Sequence, residues 1–210
     1  MELLVGTQNS GKMREFRQLL APLAMPVLFP PDLEIEIDVK EKGETYAENA
    51  ALKARAYAAA AGDRWLARPI VTLADDSGLE VDALDGAPGI RSARYALGSD
   101  VDRLTRLLAH LEGVPPERRT ARFRCVMAIV TPEGALHTAE GTCEGVIGRA
   151  PAGAGGFGYD PVFYLPEYDR TMAQLPPEVK NRISHRARAV QAALPILRRL
   201  QRKSKDTAQG

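Results

Sequence analysis

Two adjacent carboxylates, Asp75 and Asp76, follow the apolar run 69–74 and precede Ser77 and Gly78. Adjacent carboxylates repel one another and are costly to remove from water, so a metal ion or a strong cation is expected beside them. Neighbouring strand residues point to opposite faces, and we therefore expect only one of the pair to enter a given cleft. A simple turn is the alternative. The apolar strand before the pair favours function, because open α/β sheets bind ligands at the carboxyl ends of strands.

A second candidate site is the polar turn 7–12, which lies between a predicted strand and a predicted helix. Such a turn presents backbone N–H groups and a helix N-terminus, which together can bind a phosphate. Asn9 and Lys12 add side-chain donors. Residues 6–12 have the spacing of a Walker A motif up to its lysine, but Met13 stands where that motif requires Ser or Thr for magnesium. An ordinary capped connection between strand and helix is the alternative.

The charged segment 40–44 precedes a helix that the Thr45–Glu48 capping box predicts. Asn49 and Lys53 are four residues apart and lie on one face of that helix. If this face lines a ligand site, Glu41 supplies a second carboxylate and Lys53 a phosphate contact. A solvated charge run is the alternative.

Aromatic rings and a carboxylate follow a glycine-rich loop, in the order Phe157, Gly158, Tyr159 and Asp160. This combination suits a flat heterocycle, which stacks on a ring and hydrogen-bonds at its edge. A loop anchored by buried aromatic residues is the alternative. Hydrogen-bond donors also gather before and at the start of the last predicted helix: Lys180, Ser184, His185 and Arg186.

The elements that must position these residues alternate early between strand and helix. Strands are predicted at 2–6 and 69–74, helices at 45–61 and 100–111, and a hairpin at 121–147. This order predicts an α/β fold: a single domain with two lobes around a mixed central β-sheet and a cleft between the lobes. The last helix is predicted from Ser184 towards Arg202, with Pro195 bending or interrupting it.

Composition excludes several classes of protein. The 210 residues are 45% hydrophobic and 26% charged, with no long apolar run, so we expect a globular protein that neither crosses nor binds a membrane. The N-terminus lacks the pattern of a signal peptide, which predicts a cytoplasmic location. The net charge is +1 and no basic stripe is present, so we expect no nucleic-acid binding. Residues 1–200 are predicted to form the domain and residues 201–210 a flexible basic tail.

Taken together, the segments resemble the inosine triphosphate pyrophosphatase family, the XTP/dITP diphosphatases. The resemblance runs from Leu3 to about Ala192. Any one matching segment is weak, whereas their common order and spacing are specific. The matching segments are 7–12, 48–54, 74–79, 86–90, 92–95, 155–161 and 183–186.

The resemblance implies hydrolysis of inosine, deoxyinosine and xanthosine triphosphates to the monophosphate and pyrophosphate, with Mg²⁺, in a homodimer. It implies that Asp76 is the catalytic carboxylate and that Glu41 joins it as a metal ligand. Gln8 stands where the family usually has Gly, and its longer side chain is expected to narrow the phosphate turn. The implied phosphate-binding residues are Thr7, Gln8, Asn9, Ser10, Gly11, Lys12, Lys53, Ser77 and Lys180. The implied base-binding residues are Phe157, Gly158, Tyr159, Asp160, His185 and Arg186.

Two alternatives stay open at the level of sequence. Residues 6–12 suggest a P-loop ATPase or kinase, in which residues 70–75 would form the Walker B strand. Met13 disfavours this alternative, because the motif requires Ser or Thr at that position. A non-enzymatic nucleotide- or RNA-binding module using the basic C-terminus is the other. The released product separates the first alternative from the pyrophosphatase, and the salt dependence of binding tests the second.

Overall fold

The computed structural model describes residues 1–62 and 69–207, and the side chains of the described residues up to 204. Its strands are β1 (Glu2–Val5), β2 (Val27–Leu28), β3 (Ile70–Val81), β4 (Thr120–Val130), β5 (Leu136–Ile147), β6 (Phe163–Leu165) and β7 (Arg170–Thr171). Its α-helices are α1 (Ser10–Leu19), α2 (Tyr46–Ala61), α3 (Asp100–His110), α4 (Pro177–Ile183) and α5 (His185–Thr207).

Within these residues the strands form one seven-stranded sheet in the order β2-β1-β3-β4-β5-β6-β7. β1 is parallel to both β2 and β3, whereas β6 is antiparallel to β5 and β7. Consecutive strands β4 and β5 meet in a hairpin, where the Thr131 N–H donates to the Ala135 carbonyl at 2.9 Å. The mixed sheet with helices confirms the predicted α/β class.

Contacts divide the chain into two compact units. The first consists of Met1–Asp76, Cys125–Gly141 and Ala187–Gly210, and the second of Ser77–Arg124 and Thr142–Arg186. Each unit has its own buried apolar core, so the two predicted lobes correspond to physical units.

Side-chain alternation along the strands divides the core of the first unit in two. On β3, Val71 and Leu73 pack in a cluster with Phe16 of α1 and Val190 of α5. Ala74, the next residue of the strand, packs with α2 instead. α2 is rich in alanine on this side, which lets the helix lie close to the sheet. Its start is fixed by the predicted capping box, with the Glu48 N–H donating to Thr45 Oγ1 at 3.2 Å.

β3 is longer than predicted. The sequence predicts a strand that ends at residue 74 and presents Asp75 to Gly78 at its carboxyl end, but the strand continues to Val81. Leu79 and Val81 are fully buried in the core of the second unit. Burial of these apolar side chains outweighs the turn preference of Asp, Ser and Gly. The two aspartates therefore lie inside a strand and not at its end.

Two further differences concern the C-terminal part of the chain. α4 is absent from the prediction, although Pro177 at its first position after Pro176 is a helix-start signal. α5 continues through Pro195 without a break and reaches Thr207. Leu194 and Leu197 pack in the first core, which holds the helix in place around the proline. Residues 208–210 of the predicted tail lie outside the described residues, and the boundary at residue 200 stays a prediction.

No helix within residues 1–62 and 69–207 is long and apolar enough to cross a membrane.

Candidate functional site

The polar turn predicted to bind phosphate connects β1 to α1 in the first unit. Asn9 caps the helix, since its Oδ1 accepts the Lys12 N–H at 2.9 Å. The Asn9 N–H in turn donates to Oγ1 of Thr7, which is buried. Ser10 and Gly11 are the first two residues of α1. The chain here has the N-terminal helix geometry that binds anions, as the sequence predicts.

Gln8, whose longer side chain is predicted to narrow the turn, has a partner outside it. Its side-chain amide donates a 3.2 Å hydrogen bond to the Ile37 carbonyl. The longer side chain is therefore used to bind the segment that leads to Glu41.

Asp75 and Asp76 point to opposite faces of β3, as alternation requires. On one face, Asp75 Oδ2 is 2.9 Å from Lys12 Nζ, and its side chain is 1% exposed. The buried Cys125 thiol lies 3.8 Å from the same oxygen. Asp75 therefore fixes the ammonium group of Lys12, the last residue of the polar turn 7–12.

On the other face, Asp76 shares a lysine with Glu41. Lys53 Nζ is 2.7 Å from Glu41 Oε1 and 3.5 Å from Asp76 Oδ1. These three side chains are between 7% and 19% exposed, so the charges interact with little screening by water. Glu41 lies in the loop before α2, and Lys53 lies on that helix. The sequence suggested a common role for Glu41, Lys53 and Asp76, and the structure places their charged groups next to one another.

The charges of this cluster shift the pKa of its members in opposite senses. Burial raises the pKa of Asp76 above its ordinary value, and the nearby Lys53 offsets only part of that rise. Burial by itself would lower the pKa of Lys53, but Asp75, Asp76 and Glu41 outweigh it and the net shift is upward. Lys53 is therefore a firmly charged cation, and Asp76 is a carboxylate with increased affinity for a proton.

The same donor set fits a magnesium ion. Mg²⁺ prefers oxygen ligands and is usually held by one or two carboxylates together with substrate phosphates. Glu41 and Asp76 provide two carboxylates on one ammonium group. In the described part of the chain, no group of three or more His, Cys, Asp or Glu side chains is placed to hold a metal ion. The residues present therefore fit a metal that relies on its substrate for the remaining ligands.

The glycine-rich loop of the second unit is organised around Asp160. This carboxylate is 3% exposed and accepts hydrogen bonds from the Phe157 N–H at 2.9 Å and from Lys180 Nζ at 2.5 Å. We predicted that Asp160 accepts a hydrogen bond from the edge of a base. The structure shows internal partners, because a buried carboxylate is stabilised by a nearby cation and N–H group, and the contact with a base stays a prediction.

Two cations lie close to the half-buried Phe157 ring of this loop. Lys180 Nζ lies 5.0 Å and Arg186 Cζ lies 5.7 Å from the centre of the Phe157 ring. Lys180, predicted to bind phosphate, is buried in the second unit with Asp160 and Phe157. The reason is that α4, which the sequence did not reveal, carries Lys180 to this loop.

Arg186 and His185, at the start of α5, are both buried. Arg186 is 1% exposed and its Nη2 donates to Ser77 Oγ at 3.1 Å. Ser77, predicted as a phosphate ligand, is the first residue of the second unit. His185 stacks on Phe123, with ring centres 4.7 Å apart and planes inclined by 18°. Phe123 gives no functional signal in the sequence, since it is one apolar residue of a predicted strand.

Two further hydrogen bonds fix the glycine-rich loop within the second unit, one from the predicted Tyr159 and one to Asp100, which the sequence analysis missed. Tyr159 donates its hydroxyl to the Ser92 carbonyl at 2.9 Å, and burial raises the pKa of that phenol, which keeps it neutral. Asp100 Oδ2 accepts the Gly158 N–H at 2.8 Å. The sequence presents Asp100 as the first residue of a helix, so its second role depends on tertiary structure.

Comparison with known proteins identifies the family. The model of the Ham1 family matches residues 3–196, so the chain belongs to that family. A dITP/XTP pyrophosphatase of Desulforamulus reducens is 51% identical, over 95% of this chain and 97% of the relative. A second protein of that name, from Geobacillus kaustophilus, is 51% identical over 90% of each chain.

Solved structures agree with this assignment. A HAM1 protein from Coxiella burnetii superposes with a TM-score of 0.80 at 38% identity, covering 94% of this chain and 98% of its own. The Staphylococcus aureus Ham1 protein gives a TM-score of 0.79 at 39% identity, with the same coverage of the two chains.

Proposed function

We propose that this protein hydrolyses deaminated purine nucleoside triphosphates, namely ITP, dITP and XTP, to the monophosphate and pyrophosphate. Its role is to remove these nucleotides before polymerases incorporate them into DNA and RNA. The observation that carries the proposal is the cluster in which Glu41 and Asp76 share the ammonium group of Lys53. The activity named for its relatives in the Ham1 family is the second support.

The proposed residues divide according to the parts of the substrate. Residues of the first unit bind the triphosphate: Thr7, Gln8, Asn9, Ser10, Gly11, Lys12 and Lys53. Residues of the second unit bind the substrate through Ser77 and recognise the base through Phe157, Gly158, Tyr159, Lys180, His185 and Arg186. Asp160 is proposed to contact the base and also to position the loop, because it bonds Lys180 and the Phe157 N–H.

We assign Glu41 and Asp76 as the ligands of Mg²⁺. When bound there, the ion would neutralise phosphate charge and polarise the phosphoryl group that is attacked. Lys53 already neutralises these carboxylates in the structure, so its ammonium group is free to turn toward phosphate oxygens once another cation takes its place.

The reaction is an attack of water on the α-phosphorus. A bond forms between the water oxygen and that phosphorus, the bond to the bridging oxygen breaks, and pyrophosphate leaves with the bonding electron pair. Asp76 accepts the proton of the water. Lys12, held by Asp75, and the N–H groups at the start of α1 stabilise the negative charge that develops on the phosphates.

Base selection follows from the donors around Phe157. Lys180 and Arg186 carry only N–H donors, which suit the keto oxygen at the 6-position of inosine and xanthosine. Adenosine carries an amino group at that position. Because the amino group is itself a donor, it would face these donors without forming a hydrogen bond. A site built to hydrogen-bond one group rejects the analogue lacking it by up to ~10⁴-fold.

Pyrophosphate release from inosine, xanthosine, adenosine and guanosine triphosphates, with magnesium and with chelator, tests the function. We expect magnesium-dependent pyrophosphate from the first two substrates only. Orthophosphate from ATP would replace this proposal with a P-loop ATPase. Absence of product with every substrate, together with tight RNA binding that weakens steeply with salt, would replace it with a nucleic-acid-binding module.

The resemblance also leads us to propose a cytoplasmic homodimer. Sedimentation of the purified protein over a range of concentrations tests the dimer, and a mass that stays at one chain throughout would contradict it.

A further inference from the structure

The glycine-rich loop of the second unit receives a hydrogen-bond acceptor from a distant helix. Asp100 is the first residue of α3, and its Oδ2 accepts the Gly158 N–H at 2.8 Å across 58 residues of sequence. Its other oxygen, Oδ1, binds the Arg103 guanidinium group one turn further along α3. Asp100 is thereby held on both sides, by a cation of its own helix and by the loop.

Arg103 fixes the carboxylate in place through further bonds. Its Nη1 donates to the Gly98 carbonyl at 3.1 Å and to the Ala93 carbonyl at 3.4 Å. The guanidinium group therefore connects Asp100 to the segment before α3, which also carries Ser92. Since Tyr159 donates to the Ser92 carbonyl, two successive residues of the glycine-rich loop are bound to this one region.

The bond to Gly158 acts on a residue that has no side chain to restrain it. Gly158 has a φ of +62°, in the left-handed region, which glycine adopts readily because it has no side chain. Its N–H group belongs to the peptide that joins it to Phe157. Holding that N–H on Asp100 fixes the plane of the peptide and, with it, the direction in which the Phe157 backbone enters the loop.

We propose that Asp100 is a positioning residue for base recognition, because it holds the Gly158 peptide and so orients the Phe157 ring. This inference rests on the proposed function, in which the ring carries the base. It also assigns the Gly158 N–H to Asp100 and not to the ligand. Substrate selectivity therefore depends on a carboxylate that does not itself touch the base.

The first turn of α3 supplies a matched control. Asp102 is an exposed carboxylate two residues away, and it caps the helix by accepting the Ser99 N–H at 2.6 Å. Replacing Asp102 weakens the helix without removing the bond to Gly158. Asp100→Asn is the conservative variant, since an amide oxygen can still accept the Gly158 N–H.

The test compares Asp100→Ala, Asp100→Asn and Asp102→Ala with the wild-type chain. In Asp100→Ala we expect KM for dITP to rise ~10-fold, the scale of one charge-assisted hydrogen bond, while kcat stays within about twofold. The ratio of kcat/KM for dITP to that for dATP falls by a similar factor. Asp100→Asn recovers most of the affinity, and Asp102→Ala keeps the wild-type KM.

Hydrogen exchange of the Gly158 amide provides a readout that does not depend on activity. We expect faster exchange in Asp100→Ala and the wild-type rate in Asp102→Ala, because only the first loses the acceptor. A wild-type KM and exchange rate in Asp100→Ala would overturn the inference, as would equal changes in Asp102→Ala. If the wild-type protein releases no pyrophosphate from dITP, the proposed function fails, and the exchange rates still show whether Asp100 holds the loop.

Discussion

Asp75 and Asp76 are consecutive residues of β3, yet each binds the lysine of a different helix. Asp75 pairs with Lys12 of α1 at 2.9 Å, and Asp76 lies 3.5 Å from Lys53 of α2. Strand alternation sends one carboxylate to each face of the sheet, where a helix supplies the cation. Under the proposed function the two aspartates have different roles: Asp75 holds the cation that binds the phosphates, and Asp76 accepts the proton of the attacking water.

Replacing Asp76 with Asn keeps the shape of the side chain but removes the base and the anionic ligand. We expect a fall in kcat of at least ~100-fold, since general-base catalysis contributes at least this factor. Initial rates of pyrophosphate release from dITP measure it. Asp38→Asn is the control, because Asp38 is 81% exposed and pairs with the exposed Lys40. Wild-type turnover in Asp76→Asn would remove this residue from the mechanism.

Asp75 is expected to contribute to stability as well as to activity. Asp75→Ala leaves the ammonium group of Lys12 without its carboxylate partner in a mostly buried position, which costs about 3 kcal/mol of unfolding free energy. Replacing both residues, Asp75→Leu with Lys12→Met, removes the unpaired charge and should recover most of that stability. Urea unfolding measures both variants.

Activity measurements separate the contribution of the Asp75–Lys12 pair to stability from its contribution to catalysis. The double variant lacks the phosphate-binding cation, so its rate on dITP should stay low although its stability returns. If the double variant recovered activity together with stability, Lys12 would have no role in binding the substrate.

Arg186 tests base recognition. Arg186→Ala removes a buried donor beside the Phe157 ring, and we expect kcat/KM for dITP to fall ~10-fold with a smaller change for dATP. Steady-state rates on the two substrates give the ratio. Arg188→Ala is the matched control, because Arg188 lies on the same helix and is exposed. Equal losses on dITP and dATP in Arg186→Ala would contradict a role in reading the base.

A structural feature could be predicted from the sequence when it depends on residues that are close together along the chain. Alternation along β3 predicts opposite faces for Asp75 and Asp76, and the capping box at Thr45 predicts the start of α2, because both depend on near neighbours. The internal role of Asp160 depends on Lys180, which is 20 residues away and is delivered by a helix that the sequence did not reveal. The extension of β3 likewise depends on the burial of Leu79 in a tertiary core.

Gly156 is expected to be intolerant of a side chain. Its φ is +72°, and a Cβ there would overlap the Asp160 carboxylate. Gly156→Ala should therefore displace Asp160 from Lys180 and lower kcat/KM for dITP by ~10-fold or more. Gly134→Ala is the control. Gly134 has a φ of +84° with open space around it, so this substitution introduces backbone strain without a steric overlap. Equal activity in the two variants would show that Asp160 does not need its present position.

Asp82 gives a pH dependence that is independent of the proposed reaction. Hydrogen bonds from Thr120 and Arg122 lower the pKa of Asp82 below its ordinary value of 3.8, although burial opposes them. A lowered carboxylate pKa contributes stability above pH 3.8, and that contribution is lost as pH falls through the folded-state pKa. Asp82→Asn should therefore lower the unfolding free energy at neutral pH by less than ~1 kcal/mol, since the pair is near the surface. In urea unfolding, the difference from wild type should disappear at roughly pH 2, where both states bind the proton. A difference that is the same at both pH values would mean that Asp82 acts through packing and not through its charge.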